Sequence, residues 1–64
     1  MAWYRAYFLN RSLGIADVAE LRSASDEQAI VDAQALLLKR PHYVAVELWQ
    51  EARPVSLYRQ AVAA

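Results

Sequence analysis

One segment of this 64-residue chain carries both a start and a stop signal for a helix: residues 25–40, SDEQAIVDAQALLLKR. Ser25 followed by Gln28 forms a capping-box pattern, in which the serine side chain accepts a hydrogen bond from the first helical turn. Pro41 cannot continue a helix, because its ring fixes φ and it lacks an N–H. The segment therefore predicts one helix over residues 25–40, about 21–24 Å long.

Apolar residues within this segment recur at the spacing of one buried helical stripe. The stripe comprises Ala29, Ile30, Ala33, Leu36 and Leu37. A second set, Val31, Ala35 and Leu38, widens the apolar surface beyond what a single packed face needs. A helix of this length matches strands of about seven residues, which span about 23 Å. One helix can therefore cover one sheet.

Strand-like segments flank the helix on both sides, at residues 3–9, 15–22, 42–50 and 53–58. They are rich in aromatic or β-branched residues and are separated by turn-like stretches. We therefore predict an α+β fold of ββαββ order, one domain over residues 1–64, with a four-stranded, mainly antiparallel sheet. Strand order 2-1-3-4 is favoured and 2-1-4-3 is the rival. Residues 59–64 are expected to fray or to form a last partial turn.

The alternation within each strand predicts which side chains face the helix. The inward set is expected to be Tyr4, Ala6, Phe8, Ile15, Ala19, Leu21, Val44, Val46, Leu48, Val55 and Leu57. In residues 15–22 the alternation is ambiguous: Ile15, Ala19 and Leu21 are favoured inward, and Ala16 and Val18 form the alternative face. Gly14, the single glycine, is the expected positive-φ residue of the first hairpin turn. Pro54 lacks an N–H, which predicts that the last strand lies at an edge or has its proline at its start.

The composition narrows the classes of protein to consider. A chain of this length buries only about 60% of the surface that its unfolded form exposes, so self-association is a common source of added stability. Disulfides and thiolate metal sites require cysteine, and the chain has none. Seven basic and seven acidic side chains balance, whereas nucleic-acid binders usually show a basic excess. We expect a cytoplasmic protein without a membrane span.

The sheet face away from the helix is the candidate functional surface. It is predicted to carry Trp3, Arg5, Tyr7, Glu47 and Trp49, with Leu9 and Tyr43 as further candidates, and to include an Arg5–Glu47 ion pair. Contiguous apolar patches of this kind mark interfaces, and Trp, Tyr and Arg are enriched at binding hot spots. An alternative interpretation is that the two tryptophans stack on one another and stay half exposed.

The residues with catalytic or metal-binding side chains do not suggest an enzyme. His42 is interpreted as a surface turn residue, and Asp26, Glu27 and Asp32 as partners of the helix dipole rather than metal ligands. One glycine cannot build a phosphate-binding loop. We therefore predict no catalytic residue, no cofactor and no metal.

Five short motifs are spread along nearly the whole chain: YRAYFL at 4–9, GI at 14–15, SDEQA at 25–29, VELWQ at 46–50, and Arg53. Together they resemble short uncharacterised bacterial proteins of ββαββ pattern, many of which carry a glycine in the last turn. The resemblance implies the same fold and brings no activity or site with it.

The sequence thus favours a non-enzymatic module that forms a homodimer or binds a partner protein through the aromatic sheet face. One alternative is a single-stranded nucleic-acid-binding domain, since such domains stack bases on strand aromatics. A second alternative is a small regulatory subunit of a larger complex.

Overall fold

A computed structural model describes residues 1–60 as a four-stranded antiparallel sheet with one helix on one face. The elements are β1 (Ala2–Leu9), β2 (Ile15–Ser23), α1 (Asp26–Leu38), β3 (Ala45–Gln50) and β4 (Arg53–Arg59). The strand order is β2-β1-β3-β4. The predicted ββαββ fold and the favoured order are confirmed, and the rival order 2-1-4-3 is wrong. β4 is an edge strand, as Pro54 predicted.

The helix begins where the capping pattern placed it. The Ser25 hydroxyl accepts a hydrogen bond from the Gln28 N–H at 3.1 Å, but the Gln28 side chain donates to Asp32 at 2.9 Å instead of closing the capping box. The last helical residue is Leu38, with Lys39 as C-cap. The predicted end at residue 40 was two residues too late, because the chain already turns before Pro41.

The core forms between the helix stripe and the inner sheet face, as the periodicity predicted. Its buried members are Tyr4, Ala6, Phe8, Ala29, Ala33, Leu37, Val46 and Leu48, and Ile30, Ala19 and Leu21 pack against it partly buried. The second apolar set of the helix, represented by Val31 and Leu38, is exposed. Arg40 closes one end of the core: its guanidinium lies 4.8 Å from the Phe8 ring centroid and 2.5 Å from Asp17.

The first hairpin turn differs from the prediction. Leu13, not Gly14, has the positive φ, at 65°. The Asn10 side chain accepts hydrogen bonds from the N–H groups of Ser12 and Gly14 at 2.9 and 3.0 Å. These bonds hold a turn in which the left-handed position falls one residue before the glycine.

A bulge next to this turn explains why Ile15 is exposed instead of inward. Phe8 pairs with Asp17 and Leu9 pairs with Ile15, so β2 has one extra residue at this point. Since strand side chains alternate between faces, one extra residue reverses which side Ile15 takes. Ala19 and Leu21, beyond the bulge, face the helix as expected.

A second bulge lies where β3 pairs with β4. Leu48 pairs with Ser56 and Trp49 with Pro54, which leaves Val55 as the extra residue. Val55 packs against the core as predicted, but Leu57 is 55% exposed and its predicted inward orientation is wrong. The third strand begins at Ala45 instead of residue 42.

At the end of the described chain, Arg59 completes β4 and the Gln60 N–H donates to Val44. The remainder of the predicted 59–64 tail lies outside the described residues.

Candidate interaction surface

The side of the sheet opposite the helix is called the open face. Residues directly opposite in neighbouring strands point to the same side of a sheet, so the strand register defines this face. Its members within residues 1–60 are Trp3, Arg5, Tyr7, Leu9, Ile15, Val18, Glu20, Arg22, Ala45, Glu47, Trp49, Pro54, Leu57 and Arg59, of which Leu9 and Ala45 are buried. The five residues that the sequence predicted for the interaction surface all belong to it. Of the two further candidates, Leu9 is buried, and Tyr43 stacks on Phe8 and packs against the core.

The two central strands place four of these five residues side by side. Arg5 of β1 lies opposite Trp49 of β3, and Tyr7 lies opposite Glu47. Arg5 is exposed, whereas Tyr7, Glu47 and Trp49 are half-buried. The middle of the open face therefore combines two aromatic rings with one positive and one negative group.

Trp3 lies apart from Trp49, near one end of β1. Its cross-strand neighbour is Arg22 of β2, and the Arg22 guanidinium lies 5.8 Å from the Trp3 ring centroid. This is within the range of a cation–π contact. Trp3 is 60% exposed, so most of its indole remains in contact with solvent. The register puts Arg5, not Trp3, opposite Trp49, which leaves no cross-strand pairing of the two tryptophans.

Arg5 has different neighbours from those predicted. Its cross-strand partners are Glu20 of β2 and Trp49 of β3, while Glu47 lies one pair further along. The predicted Arg5–Glu47 pair is not among the ion pairs of residues 1–60, which join Arg40 with Asp17 and Arg53 with Asp26. The Tyr7 hydroxyl first, and the Glu20 carboxylate to a lesser degree, raise the pKa of Arg5. Arg5 therefore remains a permanent cation at the middle of the face.

Seven residues of the open face were missed in the sequence: Ile15, Val18, Glu20, Arg22, Pro54, Leu57 and Arg59. Val18 is 49% exposed and lies opposite Tyr7, and Leu57 lies opposite Glu47. The alternation of β2 was ambiguous, and that of β4 was misread. Their orientation depends on how they pair with β1 and β3, which no pattern within either strand reports.

A shallow depression of about 170 Å³ lies at the Trp3 end of the face. It is lined by Trp3, Tyr4, Arg5, Tyr7, Glu20 and Glu51. Sites for small molecules and cofactors are typically about 300–1,000 Å³ and predominantly apolar. This depression is smaller and carries a guanidinium with two carboxylates, a composition suited to polar contacts with a protein surface.

A polar cluster ties the helix N-terminus to the end of the sheet where β1 and β4 begin. Asp26 accepts a hydrogen bond from the Tyr4 hydroxyl at 2.6 Å and two from the Arg53 guanidinium at 3.0 and 3.1 Å. Arg53 also donates to the Gln50 side chain at 2.5 Å. Arg53 first, and Tyr4 second, lower the pKa of Asp26, and the hydrogen bond to Asp26 raises the pKa of Tyr4. The cluster joins β1, α1 and β4.

The remaining candidate residues also have structural surroundings. His42 is exposed in the connection that follows the helix. Asp32 accepts hydrogen bonds from Ser23 and Gln28, so it is held by neighbours and does not converge with Asp26. Residues 1–60 contain no group of three His, Cys, Asp or Glu side chains arranged to hold a metal ion. No helix formed by these residues has the length and apolar character that crossing a bilayer requires.

Comparison of the chain with models of known protein families, with curated proteins and with solved structures gives no match. The resemblance to short bacterial proteins stays a prediction. Among residues 1–60, fold and register define a two-layer α+β domain in which no helix or strand covers the open face.

Proposed function

We propose that this protein is a non-enzymatic interaction module, which self-associates or docks onto a partner protein through the open face. One observation carries the proposal: Trp3, Val18 and Leu57 are each about half exposed or more on one side of the sheet. The other side of the same sheet packs against the helix and forms the core. An uncovered sheet face with large apolar side chains is the usual form of a binding surface.

The residue types of the face support protein binding over other roles. Trp, Tyr and Arg are the residues that most often supply binding energy at protein interfaces. Trp49, Tyr7 and Arg5 lie together here with Glu47 as an acceptor beside them, and Trp3 lies nearer the end of β1. A larger complex that uses this chain as a small regulatory subunit would engage the same surface. The cysteine-free composition supports a cytoplasmic setting for this module.

Single-stranded nucleic acid is a less suitable occupant. Bases stack well on exposed aromatic side chains, but phosphates require a positive groove beside them. On the open face, Glu20 lies next to Arg5 and Glu47 lies next to Tyr7. These carboxylates repel a phosphate backbone at the middle of the surface.

The proposal is tested with the variants Trp3→Ala and Trp49→Ala, and with Val31→Ala as matched control. Val31 is a similarly exposed apolar residue on the outer side of the helix. Self-association is measured by sedimentation equilibrium, and partner binding by retention of cellular proteins on the immobilised domain. Circular dichroism verifies that each variant keeps its fold.

Each tryptophan truncation is expected to weaken association about tenfold or more, since hot-spot truncations exceed roughly 1–2 kcal/mol. The Val31→Ala control should behave as the parent. If both tryptophan variants keep the parent's oligomeric state and its bound partners, the open face is not the binding surface.

A further inference from the structure

We infer that the occupant of the open face is a second copy of this chain, packed face to face around a two-fold axis that runs between β1 and β3. This inference rests on the proposed function and adds the identity of the partner. Two observations carry it: the distribution of charges over the face, and the area that the face offers.

The charges of the open face are mixed in sign. Three basic side chains, Arg5, Arg22 and Arg59, are accompanied by Glu20 and Glu47, and Glu51 lies at the adjoining β3–β4 turn. A surface of one sign would repel its own copy, whereas a balanced surface can satisfy itself. The formal charge of the whole chain is also zero, so two copies approach without net repulsion.

The order of residues across the sheet specifies the contacts. Face-to-face sheets prefer strands within about 30° of each other, so the two-fold axis runs either along or across the strands. We take the axis along the strands, because an axis across them would set each strand against its own copy and only the axis along them sets β1 against β3. An axis between β1 and β3 exchanges these two strands within each cross-strand row. Arg5 then meets Trp49 of the second copy, and Tyr7 meets Glu47 of the second copy. A guanidinium over an indole and a hydroxyl donating to a carboxylate are both favourable contacts.

The same axis brings the outer strands together. One row across the sheet reads Val18, Tyr7, Glu47, Leu57. The two-fold axis exchanges the two ends of this row, so Val18 lies against Leu57 of the second copy. The symmetry forms this contact twice. Val18 and Leu57 are 49% and 55% exposed, and each covers the other at the two margins of the interface.

The area is sufficient only if the whole face is used. Four strands about 4.8 Å apart and about seven residues long cover roughly 19 by 23 Å, or about 440 Å² in projection per copy. A specific interface buries at least about 1,000 Å² in total. The accessible area of two complete faces reaches that value, because protruding Trp and Arg side chains make it larger than the projected area. Trp3 and Leu57 must therefore both be covered.

The test is a charge exchange between two copies. In the dimer, Arg5 reaches Glu47 of the second copy one row away. The Arg5→Glu and Glu47→Arg variants are each studied alone and as an equal mixture, by sedimentation equilibrium over a concentration series. Each variant alone brings like charges together twice, and its dimer is expected to dissociate at least tenfold more readily than the parent dimer. The mixture restores opposite charges at both contacts and should form heterodimers.

A second pair of variants covers the case in which a charge change at the middle of the sheet prevents folding. Val18→Lys and Leu57→Glu lie at exposed margins, and each alone should weaken the dimer. Their mixture pairs the new lysine with the new glutamate and should recover it. The Val31→Glu control, on the outer side of the helix, should leave the dimer unchanged.

A parent chain that stays monomeric at every concentration up to about 1 mM overturns this inference. The proposed function then stands if Trp3→Ala still abolishes binding of a partner protein, and falls if partner binding is unaffected. The inference is also overturned if none of these substitutions weakens the dimer, or if the mixtures do not restore it. Either result would place the contact elsewhere, such as the free edge of β2.

Discussion

Replacing Leu37 by alanine tests whether the helix stripe carries the stability of this domain. Leu37 is fully buried in the core, whereas the next residue, Leu38, is 65% exposed. Both lie in the last turn of α1 and both would lose the same three carbon atoms. The pair therefore separates burial from every effect of helix propensity, which is equal at the two positions.

The magnitude follows from the two exposures. Removing three buried carbons costs about 0.8 kcal/mol each, and the unfilled space between helix and sheet brings the loss to about 3 kcal/mol for Leu37→Ala. Leu38 keeps only about a third of its side chain out of water, so Leu38→Ala should cost less than about 1 kcal/mol. A domain of this length has a total stability of roughly 3–10 kcal/mol. The first variant should therefore be close to unfolding.

The assay is urea unfolding followed by circular dichroism, at equal chain concentration because association raises apparent stability. We expect the free energies of unfolding of the two variants to differ by about 2 kcal/mol, with Leu37→Ala the weaker. Equal losses would refute the assignment of the buried stripe. A larger loss for Leu38→Ala would show that the outer side of the helix is covered in solution.

Two further predictions concern the turn and the polar cluster. Glu51 has φ of 54°, so Glu51→Gly should raise stability by up to about 1 kcal/mol. The control Ala52→Gly should lower stability by about 0.5–1 kcal/mol. The two changes are measured as shifts of the thermal unfolding midpoint, and a loss of stability in both variants would contradict the prediction. Arg53 lowers the pKa of Asp26 below its ordinary 3.8, so the stability due to this carboxylate is complete above that pH and is lost as the pH falls through the lower folded value. Unfolding measured between pH 6 and 2 should show this loss in the parent and less of it in Asp26→Asn; identical pH profiles would contradict the pairing.

The helix and the general fold were readable from the sequence because their causes are local. Ser25 accepts a hydrogen bond three residues away, and the stripe from Ala29 to Leu37 follows from the helical repeat alone. The clear alternation of Val46 and Leu48 likewise predicted the inner face of β3 correctly. With both hairpins recognised, few arrangements of four strands and one helix remain.

The candidate surface was only half predictable. Trp3, Arg5 and Tyr7 alternate on one strand, and Glu47 and Trp49 on another, so each set could be assigned without knowing its neighbours. The pairing between the two sets could not be predicted. Arg5 was expected beside Glu47, but the register puts Trp49 opposite Arg5.

Sequence alone determined the order of the elements, where the helix begins, which helix stripe is buried, and that one sheet face carries aromatic side chains. These depend on hydrogen bonds and periodicities that span a few residues. Only the tertiary structure decided the outward orientation of Ile15 and Leu57 and the position of the positive φ at Leu13. The first two depend on bulges at Phe8–Leu9 and at Leu48–Trp49, where one strand has a residue more than its partner. A bulge belongs to a pair of strands, so the complete composition of the open face was settled only when the strands paired.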